Sequence, residues 1–187
     1  MKFDTGTELP DNFVLTKEFS DVYNLINDTN VNLFITGKAG SGKSTLLEYF
    51  RQNTNKNFVT LAFQGITAIK AKGQTLHSFF KFGPHFLAKE EIKLLKDKSL
   101  IQSLDTILID EISMVRADLF DAIDLSLKKN RKNNKPFGGV QMIVFGDVMQ
   151  IDPIVGSSDE EMMEKFYPKG RFFFNSNIYE KEKFKQI

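Results

Sequence analysis

The sequence contains no cysteine, so neither disulfides nor thiolate metal sites are available to it. Its only histidines are His77 and His85, too few for a histidine-rich metal centre. Arginine is scarce: Arg51, Arg116, Arg131 and Arg171 are the whole set, and lysine supplies the remaining positive charge. No run approaches the ~18 consecutive apolar residues of a membrane span. The first six residues have neither the apolar core nor the small-residue cleavage site of a secretory leader. The net charge of +1 excludes the strongly basic character of a protein that wraps nucleic acid over its whole surface, so any such contact has to be local. These absences point to a soluble intracellular protein with no membrane and no disulfide partner. It is expected in the cytoplasm, and on the nucleoid if it comes from a bacterium.

What is present suffices for one substantial domain. The chain has 187 residues, 41% of them hydrophobic. The first dozen residues are loose in composition. Thr16 then precedes an apolar-periodic run (Phe19, Val22, Tyr23, Leu25, Ile26) that predicts a short amphipathic helix. Four nearly all-apolar segments predict buried strands: 31–36, 58–63, 106–110 and 140–145. Helical spacing is expected from Lys43 through Phe50 and over 116–130. Residues 65–82 read as helix and turn broken at Gly73, residues 89–97 as a charged surface helix, and residues 131–139 as a basic, solvated loop. Apolar strands alternating with helices predict an α/β fold, a parallel sheet covered on both faces. Ligands of such folds bind at the carboxyl ends of the strands.

The polar residues of interest lie at those ends. Gly37-Lys38-Ala39-Gly40-Ser41-Gly42-Lys43-Ser44, followed by Thr45, satisfies the phosphate-binding pattern GxxxxGK[ST] between a strand and a helix. Its glycines let backbone N–H groups converge on phosphate oxygens, and the next helix offers its positive end to the same anion. Lys43 is expected to reach the β- and γ-phosphates of ATP, and the Ser44 hydroxyl to ligate Mg2+. The cofactor-binding set is therefore Gly37, Ala39, Gly40, Ser41, Gly42, Lys43, Ser44 and Thr45. Asp110 and Glu111 end the third apolar strand. Asp110 is expected to hold Mg2+, and Glu111 to orient and deprotonate the attacking water. Gln150, after the fourth strand, is positioned in sequence to donate to the γ-phosphate.

In combination, these motifs resemble the PIF-type DNA helicases, relatives of RecD in superfamily 1B. The resemblance rests on the Gly-rich loop, on Gly65-Ile66-Thr67-Ala68, on Gly73-Gln74-Thr75-Leu76-His77-Ser78-Phe79-Phe80, and on Asp110-Glu111-Ile112-Ser113-Met114. Further on it rests on Pro136-Phe137-Gly138-Gly139, on Gly146-Asp147-Val148-Met149-Gln150 and on Phe172-Phe173-Phe174-Asn175-Ser176. It runs from about residue 30 to residue 180. It implies a RecA-like P-loop domain over 31–187 after an N-terminal segment of 1–30, acting as a monomer; the family's second RecA-like domain is not expected within these 187 residues, which show no later motifs. It implies catalytic roles for Lys43, Asp110, Glu111 and Gln150. It also implies single-stranded DNA along residues 65–80, touched by Gly65, Thr67, Thr75, His77 and Ser78. Three departures stand out. Phe63-Gln64 replaces a usual Pro-Thr or Ser-Thr, Asp152 replaces a proline, and Phe19 stands where some members read adenine with a glutamine. Transition-state arginines of this family come from the second domain, so weak hydrolysis by this chain alone is expected. The alternative is a nucleotide-binding switch or partner-binding module without productive turnover. A small-molecule kinase or an AAA-type ATPase would need an arginine-bearing lid, which the sequence does not offer.

Overall fold

The computed structural model describes residues 9–10, 13–38, 40–70, 73–149 and 151–187. Ala39 and Gln150 of the expected site therefore lie outside the described residues, as does most of the first dozen. Six strands form one parallel sheet: β1 (Leu33–Thr36), β2 (Phe58–Ala62), β3 (Gln74–Thr75), β4 (Thr106–Asp110), β5 (Gln141–Gly146) and β6 (Lys185–Gln186), in the spatial order β3-β2-β4-β5-β1-β6. Helices α1 (Lys17–Asp28), α2 (Lys43–Asn53), α3 (Gly65–Lys70), α4 (Leu76–Phe80), α5 (Ser99–Ser103), α6 (Ala117–Arg131), α7 (Glu160–Phe166) and α8 (Asn177–Lys181) connect and flank it.

Strand periodicity explains the two cores. Successive side chains point to opposite faces. Leu33, Ile35, Leu108, Ile143 and Phe145 face α1 and α2, packing with Ile26, Leu46, Leu47 and Phe50. Phe34, Ile107, Ile109, Met142 and Val144 face the other way, toward Leu119, Phe120, Ile123 and Leu127 of α6. The central strands are buried along nearly their whole length, which is why they read as unbroken apolar runs. Thr16 caps α1 by accepting from Phe19 N–H at 3.2 Å. Phe19 joins an aromatic cluster with Phe13 and Tyr49, at 5.2 and 5.6 Å between ring centroids.

One expectation fails and another holds only in part. Residues 89–97 are not a helix: only Lys89–Glu91 makes a 3-10 turn, and Leu94 is exposed. The segment has no repeating apolar face, and side chains of α6 pin it instead. Lys129 Nζ donates to Ile92 O at 2.8 Å, and Leu95 N–H donates to Asn130 Oδ1 at 2.9 Å. The solvated basic loop expected over 131–139 is found only at 132–135, where Lys132, Asn134 and Lys135 are exposed. Arg131 ends α6 and donates to the carbonyls of Ile101, Leu104 and Gly138 at 2.6, 3.0 and 2.9 Å. Pro136–Gly139 forms a tight turn in which Phe137 is fully buried and Gly138 has φ 61°. A Cβ on Gly138 would lie 2.7 Å from Leu127 O, so the Phe-Gly-Gly segment packs directly on α6 and delivers the chain into β5. The short strands β3 and β6 and helices α5, α7 and α8 carry little sequence periodicity and are seen only in the structure.

Candidate functional site

Three neighbouring strands, β1, β5 and β4, end on one edge of the sheet. Thr36 pairs with Gly146 at the ends of β1 and β5, and Ile109 of β4 pairs with Val144 of β5. The Gly-rich loop leaves β1 and enters α2. Gly40 and Gly42 have φ of 80° and 90°, in the left-handed region that side chains disfavour, and Gly42 is the residue before the first turn of α2. Ser41 N–H donates to Lys38 O at 3.2 Å and closes the loop. The Lys43 ammonium lies within the loop, donating to the carbonyls of Gly37 and Lys38 and to Ser41 Oγ. Those are weakly held acceptors that a phosphate oxygen can replace, because a charged acceptor binds an ammonium more strongly than a carbonyl does. Ser44 and Thr45 occupy the first turn of α2, with Ser44 exposed.

Asp110 closes β4, and Glu111 follows with φ 55° and ψ 48°. A non-glycine residue in that region carries strain, and such strain concentrates at functional sites. Asp110 Oδ1 accepts from Glu111 N–H at 3.0 Å. Burial pushes the Asp110 carboxyl above its ordinary range, while that N–H and the Lys43 charge pull it back only in part. Glu111 is raised as well, first by burial and then by the Asp110 charge, with Lys43 opposing and Asp147 adding. Lys43, Asp110, Glu111 and Asp147 thus form one electrostatic group. Asp147 belongs to the motif after β5 but has no expected role from the sequence. Its signal was its place one residue beyond β5, the strand between β1 and β4. The described residues hold no cluster of three or more His, Cys, Asp or Glu able to cage a metal. One hydroxyl and one carboxylate suit Mg2+, which keeps waters and leans on substrate phosphates.

The expected DNA segment starts beside the acids, because Ala62 at the end of β2 pairs with Asp110. Gly65 is exposed at the start of α3, Thr67 is half-buried, and Ile66 and Ile69 are exposed. Thr75 Oγ1 accepts from Ser78 N–H at 3.2 Å and so caps α4, with Ser78 itself exposed. His77 is half-buried with its ring against the edge of Phe63 at 5.5 Å. Burial, then the nearby Arg116, lowers its affinity for a proton, so it stands neutral at pH 7.

Sheet order, flanking helices and the glycine loop between β1 and α2 define a P-loop domain of the RecA-like α/β type. The model of the PIF1-like helicases matches residues 14–169, and the chain belongs to that family. ATP-dependent DNA helicase RRM3 of Saccharomyces cerevisiae is 35% identical over 163 residues, 82% of this chain and 22% of that protein. ATP-dependent DNA helicase Pif1 of Psychrobacter is 39% identical over 152 residues, 74% of this chain and 22% of the relative. The crystal structure of Bacteroides Pif1 helicase in complex with ADP-AlF3 and ssDNA superposes with a TM-score of 0.86 at 39% identity, covering 94% of this chain and 42% of that one. Candida albicans Pif1 helicase superposes at 0.77 with 30% identity, covering 94% and 39%. The chain thus spans about a fifth of the length of these curated relatives. Among the described residues no helix is long and apolar enough to cross a membrane.

Proposed function

We propose that this chain is the ATP-binding motor domain of a PIF1-like DNA helicase, with residues 31–187 as the RecA-like domain and 1–30 as a preceding segment. The observation that carries the reading is the electrostatic group formed by Lys43, Asp110, Glu111 and Asp147 at one edge of the sheet. In this reading the loop from Gly37 to Thr45, Ala39 included, holds the phosphates of ATP. Lys43 turns from the carbonyls of Gly37 and Lys38 to the β- and γ-phosphates. Ser44 and Asp110 would hold Mg2+, which offsets phosphate charge when bound. Glu111, with its proton affinity raised, accepts a proton from the attacking water. Gln150 senses the γ-phosphate. Single-stranded DNA runs along Gly65, Thr67, Thr75, His77 and Ser78. A neutral His77 and the hydroxyls donate to sugar and phosphate without reading sequence. That a relative's structure holds ADP-AlF3 and ssDNA supports both ligands. The domain works as a monomer in the cytoplasm or on the nucleoid.

The test is titration of this chain with a fluorescent ATP analogue, together with ATP turnover in the presence and absence of single-stranded DNA. Lys43→Ala is expected to weaken binding on the order of 10- to 100-fold, the loss of one charge-assisted hydrogen-bonding group. Nucleotide binding indifferent to Lys43→Ala refutes the site. Normal binding with no hydrolysis under any DNA condition favours a nucleotide-dependent switch instead.

A further inference from the structure

Ser113 follows Glu111 by two residues, in the 3-10 turn Ile112–Met114, and the residue is 1% exposed. Its Oγ has no hydrogen-bond partner among the described residues. Serine in a helical turn commonly bonds back to a carbonyl of the preceding turn, and this one does not. Alanine would fill the same space without burying an unpaired hydroxyl, so packing gives no reason for serine here. The surroundings do suggest one. A Cβ placed on Gly146 would lie 3.2 Å from Ile112 N and 3.3 Å from Ser113 N. The turn therefore presses directly on the end of β5. The next residue is Asp147, whose charge reaches Glu111. Ser113 lies at the junction between the acid-bearing turn and the loop leaving β5.

We propose that Ser113 is a positioning residue for hydrolysis: its hydroxyl pairs with the Gly146–Asp147 segment when nucleotide binds, and so holds Glu111 against the attacking water. This rests on the ATP-hydrolysing reading above. It also explains a strained Glu111. A residue in the left-handed region has to be held there by its surroundings, and a Ser113 hydroxyl paired at Gly146–Asp147 would supply part of that hold.

The experiment is single-turnover hydrolysis of labelled ATP by this chain and its Ser113→Ala and Ser113→Thr variants, with thermal midpoints and nucleotide affinity measured in parallel. Ser113→Ala is expected to keep or raise the midpoint and to leave nucleotide affinity unchanged. Its hydrolysis rate is expected to fall about tenfold, the equivalent of one hydrogen bond made in the transition state. Ser113→Thr, which keeps the hydroxyl, restores most of the rate. An unchanged rate in Ser113→Ala overturns the proposal. So does a rate that falls only in step with a lowered midpoint, since that would mark a packing role. If the parent shows no turnover that Lys43→Ala abolishes, the ATP-hydrolysing reading itself fails and takes this proposal with it. Lys43-dependent turnover that Ser113→Ala leaves intact sinks the Ser113 proposal alone.

Discussion

Arg116→Ala should unfold this domain well below the parent's midpoint without touching the phosphate site. Arg116 is 7% exposed. Its Nε and Nη2 donate to the two oxygens of Asp118 at 2.9 and 2.7 Å, Nη1 donates to Asp159 at 3.0 Å, and Nη2 also donates to His85 O at 3.0 Å. Burial by itself would lower its hold on its proton. The bonds to Asp118 and Asp159 outweigh that, and the guanidinium is held charged. These bonds make the arginine a staple between the start of α6, His85 and the start of α7. Removing it leaves the Asp118 carboxylate, whose side chain is fully buried, with no opposite charge and with the Leu87 N–H at 3.0 Å as its remaining donor. Breaking a buried pair by deleting one partner costs about 3–5 kcal/mol, because the remaining charge is uncompensated. In a chain of this size each kcal/mol moves the midpoint by about 2–4 °C, so a drop of about 6–20 °C is expected. Arg116→Lys should recover only part of it, since an ammonium cannot form the two-pronged contact with Asp118. The assay is thermal denaturation followed by circular dichroism, with nucleotide affinity measured well below the midpoint and expected to be unchanged. A midpoint within about 3 °C of the parent would refute the reasoning, for it would mean that Asp118 finds other partners or water at less than about 1 kcal/mol.

Glu111→Gln should bind ATP as tightly as the parent while hydrolysis falls on the order of 10²- to 10⁴-fold, the usual weight of a general base; equal losses of binding and rate would contradict that role. Asp110 has a folded-state proton affinity above its ordinary value near 4. The folded state therefore holds a proton that the unfolded state has already released, and stability from this group is lost as pH rises through the folded value. Asp110→Asn, which keeps an acceptor for Glu111 N–H, should then match or exceed the parent's midpoint at pH 7 while losing magnesium-dependent nucleotide binding; a lowered midpoint would show that the charge stabilises the fold. Gly138→Ala combines a left-handed φ with a Cβ 2.7 Å from Leu127 O, and should cost at least about 1–2 kcal/mol in urea denaturation. A neutral outcome would mean that the Phe-Gly-Gly turn can shift away from α6.

Much of the site was legible because its chemistry is local. A backbone cradle for phosphate needs left-handed glycines at fixed offsets, so Gly40, Gly42 and Lys43 announce themselves over eight residues. The α/β architecture was legible for a similar reason: β4 and β5 are buried on both faces, and only unbroken apolar runs can do that. The sequence by itself therefore determined the four long strands, the glycine loop after β1 and the acidic pair at the end of β4. Only the tertiary structure decided what the scattered cations and turns do. Arg131 reads from sequence as part of a solvated loop and Arg116 carries no sequence signal, yet each has partners about 30 residues away or more, at Ile101 and Leu104 for Arg131 and at His85 and Asp159 for Arg116. Lys56 is similar, donating to Ile26 O at 2.7 Å and to Gln141 Oε1 at 2.8 Å, contacts that tie α1 to the start of β5. Residues 89–97 differ from expectation because charge spacing resembles a surface helix whether or not an apolar face exists to bury. The orphan hydroxyl of Ser113 and the reach of Asp147 to Glu111 exist only once β4 and β5 lie side by side, since long-range pairing leaves no period in the chain.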